Sequence, residues 1–413
     1  MIKQQGDMMK QFLMLSFCLA ASLLCGQPFS SGKHAIAYKI DLKAKSMTVI
    51  SETAYDPKKD EGTSVHTLYW NDKTRFEKRT LIPFSSVKPG TMGGLFLAAK
   101  DVQLIKEGKV FSCRRIEFEP EQKPKEGLYK NKLYAPVNYM KAPQWGQVLF
   151  NGKKIRFKGP AEVAVFTKGS AADIVPGKQK LRIFGKVTDG KFVISYLHMT
   201  DQPKDNFDPK LPSVLVIGDS ISMNYEKALL HSLKGKMNCR RIEGNSGDSN
   251  RGNSALRLWL GDAPGAKSRW AAVVLNHGLH DLKQKADPKT KKFAAAHQIE
   301  PDVYAKNIDR LLKFLTTNKY KVVWCTTTPV PNSSYGAFAR RKDEDLVYNK
   351  VLEPVLKKYP QVIVCDLNGV VRNSKVYDEW RKGNNVHFMK PEEQKLLGNA
   401  VAEAVLKAAG VKK

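Results

Sequence analysis

Two patterns of apolar and polar positions divide the chain. From about Lys33 to Thr200 the apolar residues come in short alternating runs, such as Leu181-Arg182-Ile183-Phe184 and Phe192-Val193-Ile194-Ser195-Tyr196-Leu197, punctuated by Gly, Pro, Asn and Asp. Alternation with a period of two puts one face of an extended segment on a core and the other in water, so this region predicts antiparallel β structure. After the polar, proline-containing stretch Asp201 to Pro209 the pattern changes. Strand-like runs at Val214 to Ile217, Ala271 to Leu275, Val322 to Thr326 and Val362 to Cys365 now alternate with helical spacings. These are Ile221, Tyr225, Ala228, Leu229 and Leu233; Tyr304, Ile308, Leu311, Leu312 and Leu315; Leu346 to Leu356; and Leu396, Leu397, Ala400, Val401, Ala404 and Val405. Strands and amphipathic helices in alternation predict an α/β fold whose parallel sheet is covered on both faces, with ligands bound at the carboxyl ends of the strands.

The first region carries an internal echo. Asn71 to Phe76 resembles Asn151 to Phe157, Val87-Lys88-Pro89-Gly90 resembles Val175-Pro176-Gly177, and Glu107 to Val110 resembles Asp189 to Phe192, in the same order. The echo predicts two related β units, two small β-barrels, at about 35–120 and 144–200 within a β-rich region of 33–205. Trp70 and Trp145 are candidates for a sugar-stacking platform, with core packing as the plainer alternative.

Composition narrows the setting. Lys3 and Lys10 precede an apolar run from Phe12 to Leu24, too short for a comfortable membrane span, so residues 1–26 read as a signal peptide and the protein as secreted or periplasmic. A lipoprotein anchor at Cys18 or Cys25 ranks second, because Phe17 and Leu24 are bulkier than such processing wants. The remaining cysteines, Cys113, Cys239, Cys325 and Cys365, form no metal-spaced pair, and Cys325 and Cys365 fall in apolar runs that suit buried thiols. The formal charge of +29 favours anionic surfaces. Its basic residues are scattered rather than gathered into a tract with interleaved aromatics, and the signal peptide argues against nucleic acid, so a uronate-bearing or sulfated glycan is the sharper expectation.

Candidate chemistry gathers at the carboxyl ends of the second region's strands. Gly218-Asp219-Ser220 follows the first apolar run and opens a helical pattern, which predicts a turn that lifts the Ser220 hydroxyl to the sheet edge beside free helix amides. The alternative is a plain junction with Ser220 as helix cap. Three later stretches follow strand-like runs: Asn245 to Gly252, Asn276 to Leu282, and Asn384-Asn385-Val386-His387-Phe388. Together they supply a nucleophile, a base and oxyanion donors.

Over roughly residues 211–408, within a second domain of 206–413, the chain resembles the SGNH/GDSL hydrolase superfamily. The resemblance implies a flavodoxin-like three-layer α/β/α fold, with Ser220 as nucleophile and oxyanion amide, Gly247 of Ser246-Gly247-Asp248-Ser249 as a second oxyanion amide, and His387 as base. Two positions depart from the family pattern. Its Gly-x-Asn-Asp block reads Gly278-Leu279-His280-Asp281 here, so His280 takes the oxyanion position, with Asn276 as a second candidate. Its triad Asp stands as Asn384, which an amide oxygen can fill only in part, since it orients an imidazole without offsetting its charge. Asp378 and Glu379 are the recruited alternatives. What the resemblance implies is a secreted serine esterase needing no metal or organic cofactor, acting on O-acetyl groups of carbohydrate. The rivals are a lipase or thioesterase, which the polar loops 261–269 and 283–300 do not suggest, and a non-catalytic glycan-binding protein.

Overall fold

Burial follows the two patterns and divides the chain into two units, one of residues 29–51 with 65–203 and one built chiefly from 204–413. The computed structural model describes residues 29–52, 65–119, 124–140, 145–160, 162–201, 206–262, 267–286, 293–335 and 338–411. The expected signal peptide, with Cys18 and Cys25, lies outside them, as do parts of the loops 261–269 and 283–300. No helix among the described residues is long and apolar enough to cross a membrane.

The first unit is a 13-stranded sheet of β1 (Lys33–Asp41), β2 (Ser46–Ser51), β3 (Val65–Tyr69), β4 (Arg75–Leu81), β5 (Thr91–Leu97), β6 (Phe111–Phe118), β7 (Gly127–Tyr129), β8 (Lys132–Met140), β9 (Trp145–Phe150), β10 (Lys153–Lys158), β11 (Glu162–Lys168), β12 (Gln179–Thr188) and β13 (Lys191–Asp201). One helix, α1 (Ala99–Lys106), lies between β5 and β6. Parallel pairing of β13 with β3 closes the ring β13-β12-β1-β2-β3, and parallel pairing of β6 with β10 closes β10-β9-β8-β5-β6. Closure satisfies the edges an open sheet would leave unpaired. Each ring buries its own core, Val49, Leu68, Leu181, Ile183 and Leu197 in one and Leu95, Ile116, Leu133, Val148 and Phe157 in the other. Trp70 packs edge-on against Phe76, its centroid 6.0 Å away, beside the first of these cores.

Two rings are present, but the repeat boundaries of 35–120 and 144–200 are not theirs. Strands from both ends of the unit make the first ring, and the second is inserted between β3 and β12. The echo has a local cause. Gly90, Gly108, Asn151, Gly152, Gly177, Asp189 and Gly190, which carry much of it, all take positive φ at turns that lead into strands, so they share turn chemistry rather than a place in a barrel.

In the second unit β14 (Ser213–Gly218), β15 (Asn238–Arg241), β16 (Ala272–Asn276), β19 (Val322–Cys325) and β22 (Ile363–Cys365) form a parallel sheet in the order β15-β14-β16-β19-β22. That is the 2-1-3-4-5 order of flavodoxin-like sheets, whose ligand crevice opens where the order reverses, between β14 and β16. Every residue of β16 and β19 is buried, as a central parallel strand requires. Helices α2 (Ser220–Leu233) and α8 (Pro391–Ala409) pack on each other, close enough that a Cβ on Gly398 would stand 2.6 Å from the Ala228 Cβ. Helices α3 (Ser249–Leu260), α4 (Pro301–Thr317) and α5 (Glu344–Lys357) pack in sequence as a second group. A small sheet of β17 (Gln284–Ala286), β18 (Phe293–His297), β20 (Ser333–Tyr335) and β21 (Phe338–Arg340) lies outside this frame, and α6 (Leu367–Arg372) and α7 (Lys375–Trp380) complete the unit. Cys325 and Cys365 are buried opposite each other on β19 and β22 as free thiols.

Candidate active site

The turn from β14 to α2 is fixed by the residue before the candidate nucleophile. Asp219 caps the helix, its Oδ1 accepting the Ile221 amide at 2.9 Å, while Ser222 Oγ donates to the Asp219 carbonyl at 2.7 Å. Burial pushes the Asp219 carboxyl up to about 6, and its Oδ2 has no hydrogen-bond partner among the described residues. Ser220 is the first residue of α2, at the crevice predicted by the strand order. Its Oγ lies 2.9 Å from His387 Nε2.

His387 is held from its other side by Asn385, not Asn384. Asn385 Oδ1 accepts both the His387 amide, at 3.0 Å, and Nδ1–H, at 2.8 Å. Two donors on one atom identify it as the amide oxygen, which places the ring proton on Nδ1 and leaves Nε2 free to accept from Ser220. Asn384 is exposed and has no hydrogen-bond partner among the described residues. The physical reason is a tight Asx turn, in which a side chain reaches the backbone two residues on and, from there, the ring at the same position. Asp378 and Glu379 are spent elsewhere, paired with Arg381 and Lys382. The loop is anchored by Trp380, whose Nε1 donates to the His387 carbonyl at 3.3 Å and whose ring stacks on the buried Phe388 at 4.9 Å. The Phe388 amide donates to Asn224 Oδ1 on α2 at 3.3 Å, which ties the His387 loop to the helix that begins at Ser220. Burial, and then the charge of Arg340, hold the His387 imidazole below its usual range.

The loops after β15 and β16 supply the expected oxyanion donors in unequal states. The Ser246 amide donates to the Gly218 carbonyl at 3.0 Å, which seats the loop beside the nucleophile turn. The Gly247 amide, expected to face substrate, donates instead to Asn245 Oδ1 at 2.8 Å. It joins an oxyanion hole only if that turn opens. Asn276 is buried at the end of β16, paired with Gly218, and its Oδ1 has no partner among the described residues. The next turn is strongly pinned: Tyr304 Oη and Thr327 Oγ1 both donate to the His277 carbonyl, at 3.0 and 3.1 Å. Gly278 holds φ at 136°, and a Cβ there would sit 2.0 Å from Thr327 Oγ1, so only glycine fits. Asp281 is buried and accepts from the Ser249 amide and hydroxyl, which joins this turn to the start of α3; burial pushes its carboxyl up to about 7.

His280 is partly buried at this turn, and Lys283 Nζ lies 2.7 Å from its Nδ1. An ammonium can only donate, so Nδ1 is the acceptor and the ring proton sits on Nε2. Burial, followed by the Lys283 and Arg340 charges, pushes His280 down to about 3, so it is a neutral imidazole with one N–H to offer. Arg340 Nε donates to the carbonyl of the preceding residue, Leu279, at 2.9 Å. His277 does not share this part: its Nδ1 faces the Gly247 carbonyl at 3.3 Å and its Nε2 is buried with no partner among the described residues.

Ser220, His387, Asn385, His280, Lys283 and Arg340 thus converge on one sheet edge. The last residue of each supporting pair was invisible as a motif: Asn385 hid behind its neighbour in the Asn384-Asn385 doublet, and Arg340 arrives on the short β21. Lys283 had a signal, its spacing of three from His280 within a turn. A cavity of about 1020 Å³ lies at the opposite edge, against Pro212, Ser213, Trp270 and Ala271, and has no part in this site.

No family model and no curated protein matches the chain. Solved structures similar to about half of it include a lipase/acylhydrolase from Enterococcus faecalis, at 16% identity over 49% of this chain and 97% of that one, TM-score 0.36. Others are a GDSL-like lipase from Bacteroides thetaiotaomicron, at 16% identity over 48% and 88%, TM-score 0.33, and an acetyl xylan esterase, at 14% identity over 46% and 98%, TM-score 0.35.

Proposed function

We propose that the second unit is a serine ester hydrolase of the SGNH/GDSL kind, working by an acyl-enzyme mechanism. The observation that carries this reading is the line Ser220 Oγ, His387 Nε2, His387 Nδ1, Asn385 Oδ1, with contacts of 2.9 and 2.8 Å. In it His387 takes the Ser220 proton as Oγ attacks the ester carbonyl, then returns that proton to the leaving alcohol. Water, deprotonated by the same ring, attacks the acyl-Ser220, and the acid departs with the nucleophile restored. The Ser220 amide and His280 Nε2–H stabilise the oxyanion, and Gly247 adds its amide once released from Asn245. A neutral imidazole suits this work, because it donates without surrendering its proton. The three-layer sandwich, export and an O-acetylated carbohydrate substrate are the finer parts of the same proposal, in line with the sequence resemblance and the basic surface.

Hydrolysis of p-nitrophenyl acetate against a long-chain ester tests it. Preference for acetate is expected; preference for the long chain would favour the lipase alternative, and hydrolysis of neither would leave a glycan-binding protein. The pH profile adds a second check. A base works only when neutral, and the His387 imidazole titrates below its ordinary 6.5. The acid limb of kcat/KM should therefore fall below that value, with activity full above it. A midpoint well above 6.5 would contradict the environment described for His387.

A further inference from the structure

Two cations stand at this site with no carboxylate in salt-bridge contact among the described residues. Lys283 has its Nζ on His280 Nδ1 and 5.5 Å from the Phe338 ring centroid, and Arg340 has its Nε on the Leu279 carbonyl. Neither forms an ion pair with any acid among the described residues, though both are partly buried and the chain pairs many of its other cations. Placing two like charges together in a partly dry site is costly unless something negative joins them. Arg340 also lies near enough to the reacting groups for its charge to act on both His280 and His387; Asp219 attracts it, and Asp248, Asp219 and Asp281 attract Lys283, none of them reaching either cation as an ion pair.

Resting on the esterase reading, we infer that Arg340, assisted by Lys283, is the specificity-determining group of this site and that the ester hydrolysed carries an anionic group, a carboxylate or a sulfate, beside the scissile bond. The short strand β21 pairs with β17, Gln284 opposite Ala339, so one small sheet delivers Lys283 and Arg340 to the same turn as His280. A planar guanidinium anchored through Nε still offers its Nη groups, the fork that matches carboxylate and sulfate oxygens. The formal charge of +29 would draw such a substrate in at long range, but a fixed cation at the His280 turn sets which ester reacts.

The test compares kcat/KM for an O-acetylated methyl glucoside and the matching methyl glucuronoside, with the 6-sulfated glucoside as a third arm to tell sulfate from carboxylate. The wild-type protein should prefer an acidic ester by about tenfold to a hundredfold, the range expected of a charge-assisted hydrogen bond. Arg340→Gln should abolish that preference, Arg340→Lys should keep part of it, and added salt should erode it in the wild type. A preference absent from the wild type, or an equal fall for acidic and neutral esters in Arg340→Gln, would overturn the inference and make Arg340 a brace for the Leu279 turn. Should the wild type hydrolyse none of the three, the esterase reading falls by itself. Calorimetric binding of the acetylated glucuronoside then decides the anion site: binding lost in Arg340→Gln upholds it, and absent or unaltered binding overturns it.

Discussion

Replacing Ser220 by Ala should lower kcat on p-nitrophenyl acetate by about 10⁴-fold to 10⁶-fold, the scale of nucleophile loss in serine hydrolases, and leave thermal unfolding unchanged. The second half of this expectation comes from the turn itself. Asp219 and Ser222, not Ser220, make the bonds that hold it, and among the described residues the Ser220 hydroxyl bonds His387 alone. Loss of one partly exposed hydroxyl of this kind is worth less than about 0.5 kcal/mol of stability. Thermal melting alongside single-turnover kinetics separates the two effects. Activity close to wild type in the Ser220→Ala protein would remove Ser220 from the mechanism.

Asn385→Ala should cost about 10²-fold to 10³-fold in kcat, whereas Asn384→Ala should cost nothing measurable. Removing a triad carboxylate from a serine protease costs roughly 10⁴-fold, through lost orientation and lost stabilisation of the imidazolium together. Asn385 supplies orientation alone, since its oxygen carries no full charge, so the smaller figure is expected. Asn385→Asp completes the experiment. A carboxylate at Nδ1 favours the protonated ring, so the His387 pKa rises and the acid limb of the pH profile moves up with it. An unmoved limb in Asn385→Asp, or a loss in Asn384→Ala equal to that in Asn385→Ala, would contradict the contact drawn between Asn385 and the ring.

The parts of the site that were legible in the sequence are those whose position follows from the backbone. Gly218-Asp219-Ser220 lies where an apolar strand must turn into a helix, and His387 precedes a helix whose apolar spacing is regular over five turns, so their convergence followed from strand and helix order. Spacing rules failed where a side chain chooses between neighbours. Asn384 and Asn385 are chemically identical, and which of them meets the ring depends on an Asx turn that no periodicity records. Gly247 was readable as a close-approach glycine, yet whether its amide faces substrate depends on Asn245, two residues away. Arg340 had no sequence signal, because a three-residue strand from a distant part of the chain carries it. In the β-rich unit, alternation revealed the strands, but ring membership depends on pairings between residues as far apart as Leu68 and Phe192, which local pattern cannot encode.

Those distant pairings also set an order of assembly. All five strands of the inserted ring, β5, β6, β8, β9 and β10, have left the ribosome by Lys158, whereas the ring begun by β1 to β3 waits for β12 and β13, which end at Asp201. Closing the outer ring spans a far longer loop, and that loop is shortened in effect once the inner ring has condensed within it. Until then β1 to β3 offer unpaired edges during synthesis, and the folded first unit hides them because its own last two strands, β12 and β13, come back to β1 and β3.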